Sequence, residues 1–487
     1  MTATPRRTRI DASHIIAYDA HSGGHRYLRD GVIVVEGDSI AHVGKTYDGP
    51  ADETIDATGA AGRIVTPGFV NVHAHLAGSP LDKSFVEDRG PRQFYLSGLF
   101  EFLPARGAAQ DAEATRACFD YSMVELLRTG TTTILEMGPL LDEAVESAVQ
   151  AGIRLYLGMG LRDGRWYTDN GKTVRYDWDE AAGRAALRRG VEFIERHDGS
   201  HGGLIKTFLS PLQVDTCSEG LLREVRRVAD SLKVPVQIHV SQSVNEFQEM
   251  IARHGKTPIE WLRDIGFLGP DVLLGHAIIR GGGTWANYHA DDIGIVAASG
   301  ASVAHCVWVF ARRGIAMESF ARYLDAGINM ALGTDTAPQS MLEALKFTAV
   351  VSKIVDRRTE VATAADVFNA ATLGGARALG RDDLGRIAPG AKADLLFFDA
   401  ESLWMTPLRD PVKNIVYSAQ AQDIADVMVN GKVVVRDRTV LGLDEREVCR
   451  RLQAGGERMW PALHQGHWDH QDVDTLSPQS FPRWEGP

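Results

Sequence analysis

His73, His75, His239, His276 and Asp335 each close a β-rich run that is otherwise nearly free of ionisable groups. Taken singly, such a histidine is more often a satisfied structural residue than a ligand. Four histidines and an aspartate, all at run ends, are hard to explain that way. Imidazole with carboxylate is the donor chemistry of a metal site. The stretch VNVHAHLAG (70–78) sets His73 and His75 one residue apart. Alternation along a strand turns every second side chain to one face, so both imidazoles converge while Ala74 faces away. The preceding IVTPGFVNV is almost uncharged, as expected of a strand covered on both faces.

The elements that must position these residues recur along the chain. Eight β-rich runs alternate with helical patterns: IVTPGFVNVHAH (64–75), TTTILEM (131–137), RLYLGMG (154–160), LIKTFLSP (204–211), VPVQIHVS (234–241), DVLLGHAI (271–278), ASVAHCV (301–307) and INMALGTD (328–335). In SEGLLREVRRVADSL, Ser218 is the predicted N-cap of a helix whose apolar stripe includes Leu221, Leu222, Val225 and Leu232. TPIEWLRDIGF predicts a second start, with Thr257 as cap, Pro258 first and Glu260 completing a capping box. Eight strand–helix units predict an α/β fold, a parallel (β/α)8 TIM-like barrel over 64–380. In such barrels, polar residues at the C-terminal strand ends are catalytic. A doubly wound sheet is the runner-up. It is disfavoured because the polar residues gather at most strand ends rather than at one switch point.

The flanks differ. Residues 8–62 hold short alternating strands, with a hairpin predicted around Gly37-Asp38, and 386–440 resemble them, with a hairpin around Asn430-Gly431. Together they predict a small β-sandwich built from both terminal segments, 1–63 and 381–445, followed by a tail, 446–487. His464, His467 and His470 in the tail imitate a metal cluster, but no carboxylate pattern or strand end supports one there. The tail, with Trp460, Trp468 and Trp484, is read as a surface segment packing on a neighbouring domain or subunit. A net charge of -12 argues against a nucleic-acid partner. No apolar run reaches the length of a membrane span, and MTATPRRTRIDASH lacks the apolar core of a signal peptide. Four scattered cysteines without C-x-x-C spacing fit a reduced, cytoplasmic protein. The expected partner is a small-molecule substrate, and the expected assembly a homo-oligomer.

TPGFVNVHAHL, QIHVSQ, LLGHA and ALGTDTAP together resemble the motifs of the amidohydrolase superfamily, nearest to its cytosine deaminase, adenosylhomocysteine deaminase and triazine hydrolase branch. GRIAPGAKADLLFFD and VMVNGKVVVRD are similar to that branch's terminal sandwich, and the resemblance spans about residues 10–440. It implies one divalent metal held by His73, His75, His239 and Asp335, with zinc expected and iron, manganese or cobalt also suited to the donors. It also implies that Asp335 takes a proton from the attacking water, and that His276 orients that water or polarises the electrophilic carbon. Gly333 in the GTD turn lets the backbone bring Asp335 close.

The chain departs from that pattern in places. Deaminase-like relatives carry a glutamate three residues after the fifth-strand histidine; here Gln242 stands there, able to hydrogen-bond but not to deliver a proton. Glu246, further on, is read as a solvated helix residue. Many relatives read His-Cys/Asn-Pro-x-Ser-Asn on the seventh strand, where this chain has HCVWVFARR, with His305 matched and Trp308, Val309 and Phe310 expected to make the pocket apolar. Lys206, four residues before Ser210, is misplaced for the carbamylated lysine that bridges two metals in binuclear relatives. Segments 82–92 and 161–172 are read as substrate loops. The resulting expectation is a metal-dependent hydrolase of a non-peptide C–N bond, of amide, urea or carbamate-like type. The enzymatic alternative displaces ammonia, an alkylamine or chloride from an N-heterocycle; the alternative of another class is an inactive barrel scaffold.

Overall fold

The computed structural model describes residues 5–58, 62–84, 94–139 and 142–484. Eight parallel strands form its centre: Phe69–Ala74, Thr131–Gly138, Arg154–Leu161, Ile205–Thr207, Val236–Val240, Val272–His276, Ser302–His305 and Met330–Leu332. The first four pair in chain order as one sheet and the last four as another. Parallel bridges Leu209↔Val236 and Ala74↔Asp335 join the two sheets at both seams, which closes the (β/α)8 barrel. Val70, Val72, Leu135, Tyr156 and Leu273 belong to the core inside the ring, as expected of strands buried on both faces. The Ser218 cap and the Thr257–Glu260 capping box both form.

The run 64–75 is not one strand. Arg63–Pro67 pairs with strands of the terminal segments, and the barrel strand begins only at Phe69. Gly68 makes the crossing because a Cβ there would lie 2.1 Å from the Thr132 hydroxyl. A second irregularity lies within the barrel strand, where register shifts between Asn71 and Ala74. Val70 and Val72 belong to the interior core, whereas Ala74 joins the core outside the ring. The shift therefore changes which parity points inward, and it aims His73 and His75 together.

The two flanks together build one nine-stranded sheet. Its N-terminal strands join the C-terminal ones through the antiparallel pairing of Arg63–Pro67 with Leu395–Asp399. Ile10, Ile33, Val65, Leu395, Phe397 and Met428 share a core on one face, while Ile64, Leu396, Phe398 and Val427 join the main core on the other. The predicted hairpin at Asn430-Gly431 forms, with φ of +48° and +72° at the two turn residues, as a two-residue turn of this hand requires.

The tail packs on the barrel's own helices. Met459, Leu463 and Leu476 form a core with Phe102 and Ala105 of helix Phe102–Ala109. The Trp468 indole donates to the Glu101 carboxylate at 2.8 Å. His467 is buried there, while His464 and His470 are exposed and no metal-competent cluster forms among them. Among the described residues no helix is long and apolar enough to cross a membrane.

Candidate active site

The barrel ends bring the five predicted residues together. Asp335 carboxylate oxygens lie 3.4 Å from His276 Nε2 and 3.8 Å from both His73 Nε2 and His75 Nε2. His75 Nε2 and His239 Nε2 face each other at 3.1 Å. Ligand atoms of two overlapping groups, His73–His75–His239 and His73–His276–Cys306–Asp335, lie within 4.8 Å of one another.

The donor set fits a divalent cation. His75 Nδ1 donates to the Met137 carbonyl at 2.8 Å, and His239 Nδ1 donates to that of Leu212. With both protons on Nδ1, two Nε2 lone pairs point at one another, an arrangement that a cation between them would satisfy. His73 Nε2 and His276 Nε2 are likewise buried without a hydrogen-bond partner. Burial, then neighbouring imidazoles, hold His73, His239 and His276 far below the usual imidazole range, so each presents the neutral form that binds a metal. Burial pushes the Cys306 thiol well up, which keeps it protonated and makes it the poorest donor of the group.

The backbone is strained where the chemistry sits. Asp335 has φ +64° and His276 φ +84°, conformations that cost non-glycine residues about 1–3 kcal/mol. Asp335 is held there from both sides: its amide donates to the His73 carbonyl at 2.9 Å, and its carbonyl accepts from the His75 amide at 2.7 Å. Gly333 permits the approach, since a Cβ would lie 2.7 Å from His73 Cβ and 2.9 Å from Cys306 Sγ.

Gln242 lines the cavity in front of these residues. Its Nε2 donates to Gln213 Oε1, and Gln213 Nε2 donates to Glu246 at 3.0 Å. Glu246 is therefore not solvated, as its helical position implied. It is fully buried, because its carboxylate folds back to accept the Ser241 and Gln242 amides at the start of helix Val244–His254. Burial and the nearby Asp215 push its carboxyl well above the usual range. Glu246→Ala leaves two buried amides unpaired, so we expect a loss of about 1–3 kcal/mol of stability. An unchanged thermal midpoint would contradict this role.

The cavity has a volume of about 270 Å³ and mostly apolar walls, including Leu96, Phe102, Trp166, Trp285, Val309 and Phe310. Val309 and Phe310 face it as expected; Trp308 does not, and packs on Phe347 at 4.7 Å between ring centres. His305 packs on Phe320, and burial lowers its pKa to about 4. Lys206 lies outside the cavity, paired with Asp198 at 2.6 Å. Of the segment 82–92, residues 85–92 lie outside the described residues, while Asp82 lines the cavity and pairs with Arg106. In the segment 161–172, Trp166 lines the wall, and its indole N–H donates to Asp215 at 2.8 Å. Tyr176 donates to the same carboxylate at 2.7 Å.

Sequence reasoning missed Glu136, Gln213 and Arg313. Glu136 closes the second strand beside His75, accepts from the Leu76 amide at 2.6 Å, and is pushed up to about 8 by burial. Its place as a lone acid at the end of TTTILEM was the available signal; for Arg313 it was the charged pair ending an otherwise apolar WVFARR.

A closed (β/α)8 barrel thus gathers histidines and an aspartate at its C-terminal strand ends, where their donor atoms could hold a metal ion. The amidohydrolase family profile matches residues 64–434, and the chain belongs to the amidohydrolase family. It is 30% identical over 456 residues to 5'-deoxyadenosine deaminase of Methanosarcina barkeri, covering 92% of this chain and 98% of that protein. It is 33% identical over 412 residues to 5-methylthioadenosine/S-adenosylhomocysteine deaminase of Thermococcus onnurineus, covering 83% and 90%. Among solved structures, an adenosine deaminase from Xanthomonas campestris with bound zinc superposes with a TM-score of 0.80 at 24% identity, covering 94% and 99%. Atrazine chlorohydrolase from Arthrobacter aurescens, complexed with zinc, gives 0.79 at 21%, covering 92% and 100%. The chain is an enzyme, a hydrolase of carbon–nitrogen bonds other than peptide bonds. That sets aside the inactive scaffold.

Proposed function

We propose that His73, His75, His239 and Asp335 hold one divalent metal, and that the enzyme hydrolyses a C–N bond whose carbon is already a carbonyl, in an amide, urea or carbamate-like small molecule. Zinc is the proposed ion, supported by three imidazoles with a carboxylate and by the zinc in both solved relatives. When bound, such an ion lowers the pKa of a water towards neutrality. Asp335 would accept the water's proton from its position among the histidines and pass it to the departing nitrogen as the C–N bond breaks, so that a neutral amine leaves. His276, 3.4 Å from that carboxylate, orients the attacking oxygen and the substrate carbonyl. The apolar walls exclude bulk water, which strengthens both interactions. A cytoplasmic setting is supported by four cysteines, all free.

Gln242 carries the choice of bond. One N–H of its Nε2 is engaged by Gln213, which leaves the second free to donate and its carbonyl oxygen free to accept an N–H from the substrate. That contact suits an amide nitrogen, and it supplies no proton to a ring nitrogen. Release of ammonia from an aminated N-heterocycle is the second reading, favoured by the deaminases that match this chain over nearly their full length. Product analysis on metal-loaded protein separates the two: an amine with an acid or carbon dioxide supports the first, ammonia from a heterocycle the second.

On the native substrate, Gln242→Glu is expected to leave the rate unchanged or lower it, and to introduce at most weak deaminase activity. General acid help is worth ~10²–10⁴-fold only where a transition state needs it. A large rate increase would mean that this is a deaminase lacking its acid.

A further inference from the structure

One wall of the cavity carries charge that the proposed mechanism does not use. Arg312 and Arg313 directly follow the short helix Val307–Ala311 and line the cavity together with Arg106 and Asp82. Arg106 pairs with Asp82, and Arg312 reaches the Thr336 hydroxyl at 3.3 Å. The Arg313 guanidinium makes no hydrogen bond or ion pair among the described residues, and its Nε is buried without a partner. Phe310, one turn earlier, packs on the His276 ring at 4.7 Å, so this wall adjoins the reacting centre.

The charge balance is local. The chain as a whole carries -12, yet three guanidiniums line this cavity. Asp82 pairs with Arg106, while Asp335 and Glu136, the other carboxyls that line the cavity, make no ion pair with Arg313 among the described residues. Burial and Arg312 lower Arg313 to about 10, which still leaves it cationic at pH 7. A cation held in an apolar wall costs free energy unless an anion meets it, and a guanidinium fork matches a carboxylate with two parallel hydrogen bonds.

We propose that the substrate carries a carboxylate held by Arg313 with Arg312 beside it, its apolar body lying along Val309, Phe310 and Trp285. The proposal names the substrate class of the site assigned above and rests on that assignment.

Calorimetric titration of the metal-loaded full chain tests it with two probes, 3-phenylpropane-1-sulfonate and the neutral methyl 3-phenylpropyl sulfone. The sulfonate is anionic but a poor metal ligand, so its preference reports the guanidinium rather than the ion. In the unaltered protein the sulfonate is expected to bind about 10–100-fold more tightly than the sulfone. In Arg313→Gln and Arg313→Met that preference is expected to vanish while sulfone affinity stays the same. Equal binding of both probes to the unaltered protein, or a preference that survives both substitutions, overturns the proposal. Failure of both variants to fold gives the guanidinium a structural role and also overturns it. A sulfonate preference without any C–N hydrolysis counts against the hydrolytic assignment alone, because the titration reads binding.

Discussion

Asp335→Asn is expected to lower turnover by ~10²–10⁴-fold while metal largely stays bound. The substitution keeps the size and one oxygen of the side chain, and the histidines that converge on it remain. It removes the basic oxygen, so nothing accepts the water's proton. The amide also puts N–H hydrogens where His276 Nε2 lies 3.4 Å away, which favours a fixed contact over proton transfer. The strained backbone at this residue is clamped by main-chain bonds to His73 and His75, and asparagine tolerates positive φ as aspartate does. The fold should therefore survive. Rates with saturating substrate and elemental analysis of the same preparation give both quantities. A variant that keeps near-normal turnover would remove Asp335 from the proton-accepting role.

What was legible in the sequence follows from which forces are local. A strand buried on both faces must be apolar except where function places a polar group, so the histidines and Asp335 stood out against their own runs. Capping at Ser218 and Thr257, and the turn at Asn430-Gly431, depend on residues within a few positions of one another. Gly68 was harder to interpret. Its role is set by the Thr132 side chain on the neighbouring barrel strand, so an apolar run reading as one strand divides between two sheets. Glu246 was misread for the same kind of reason: its helical phase allows solvent, but its carboxylate folds back onto two amides before the helix. Gln213 lies 29 residues from Gln242 and meets it only because a parallel bridge sets Gln213 beside His239. Trp308 shows the limit of side-chain direction, since neighbours in one short helix face the cavity while it packs on Phe347.

His239→Ala is expected to lose both the metal and the activity, which separates it from Asp335→Asn. His239 is positioned on the fifth strand, its Nδ1 fixed by the Leu212 carbonyl and its Nε2 facing His75 at 3.1 Å. Removing the imidazole deletes a donor atom and leaves the Leu212 carbonyl without that contact. Even partners outside the ligand sphere typically change metal affinity by about 10–100-fold, so loss of a ligand should exceed that. Asp335 could still contribute an oxygen, but His73 and His75 alone do not enclose the ion. After gel filtration in metal-free buffer, the unaltered protein should retain about one divalent metal per chain, as three histidines and a carboxylate imply. The variant should retain far less. Two metals in the unaltered protein, with a carbamylated Lys206, would overturn the mononuclear assignment, although Lys206 is paired with Asp198 outside the cavity. Full metal retention in His239→Ala would instead shift the ligand set towards the overlapping group of His73, His276, Cys306 and Asp335. In that case His276 would hold the metal rather than orient the substrate.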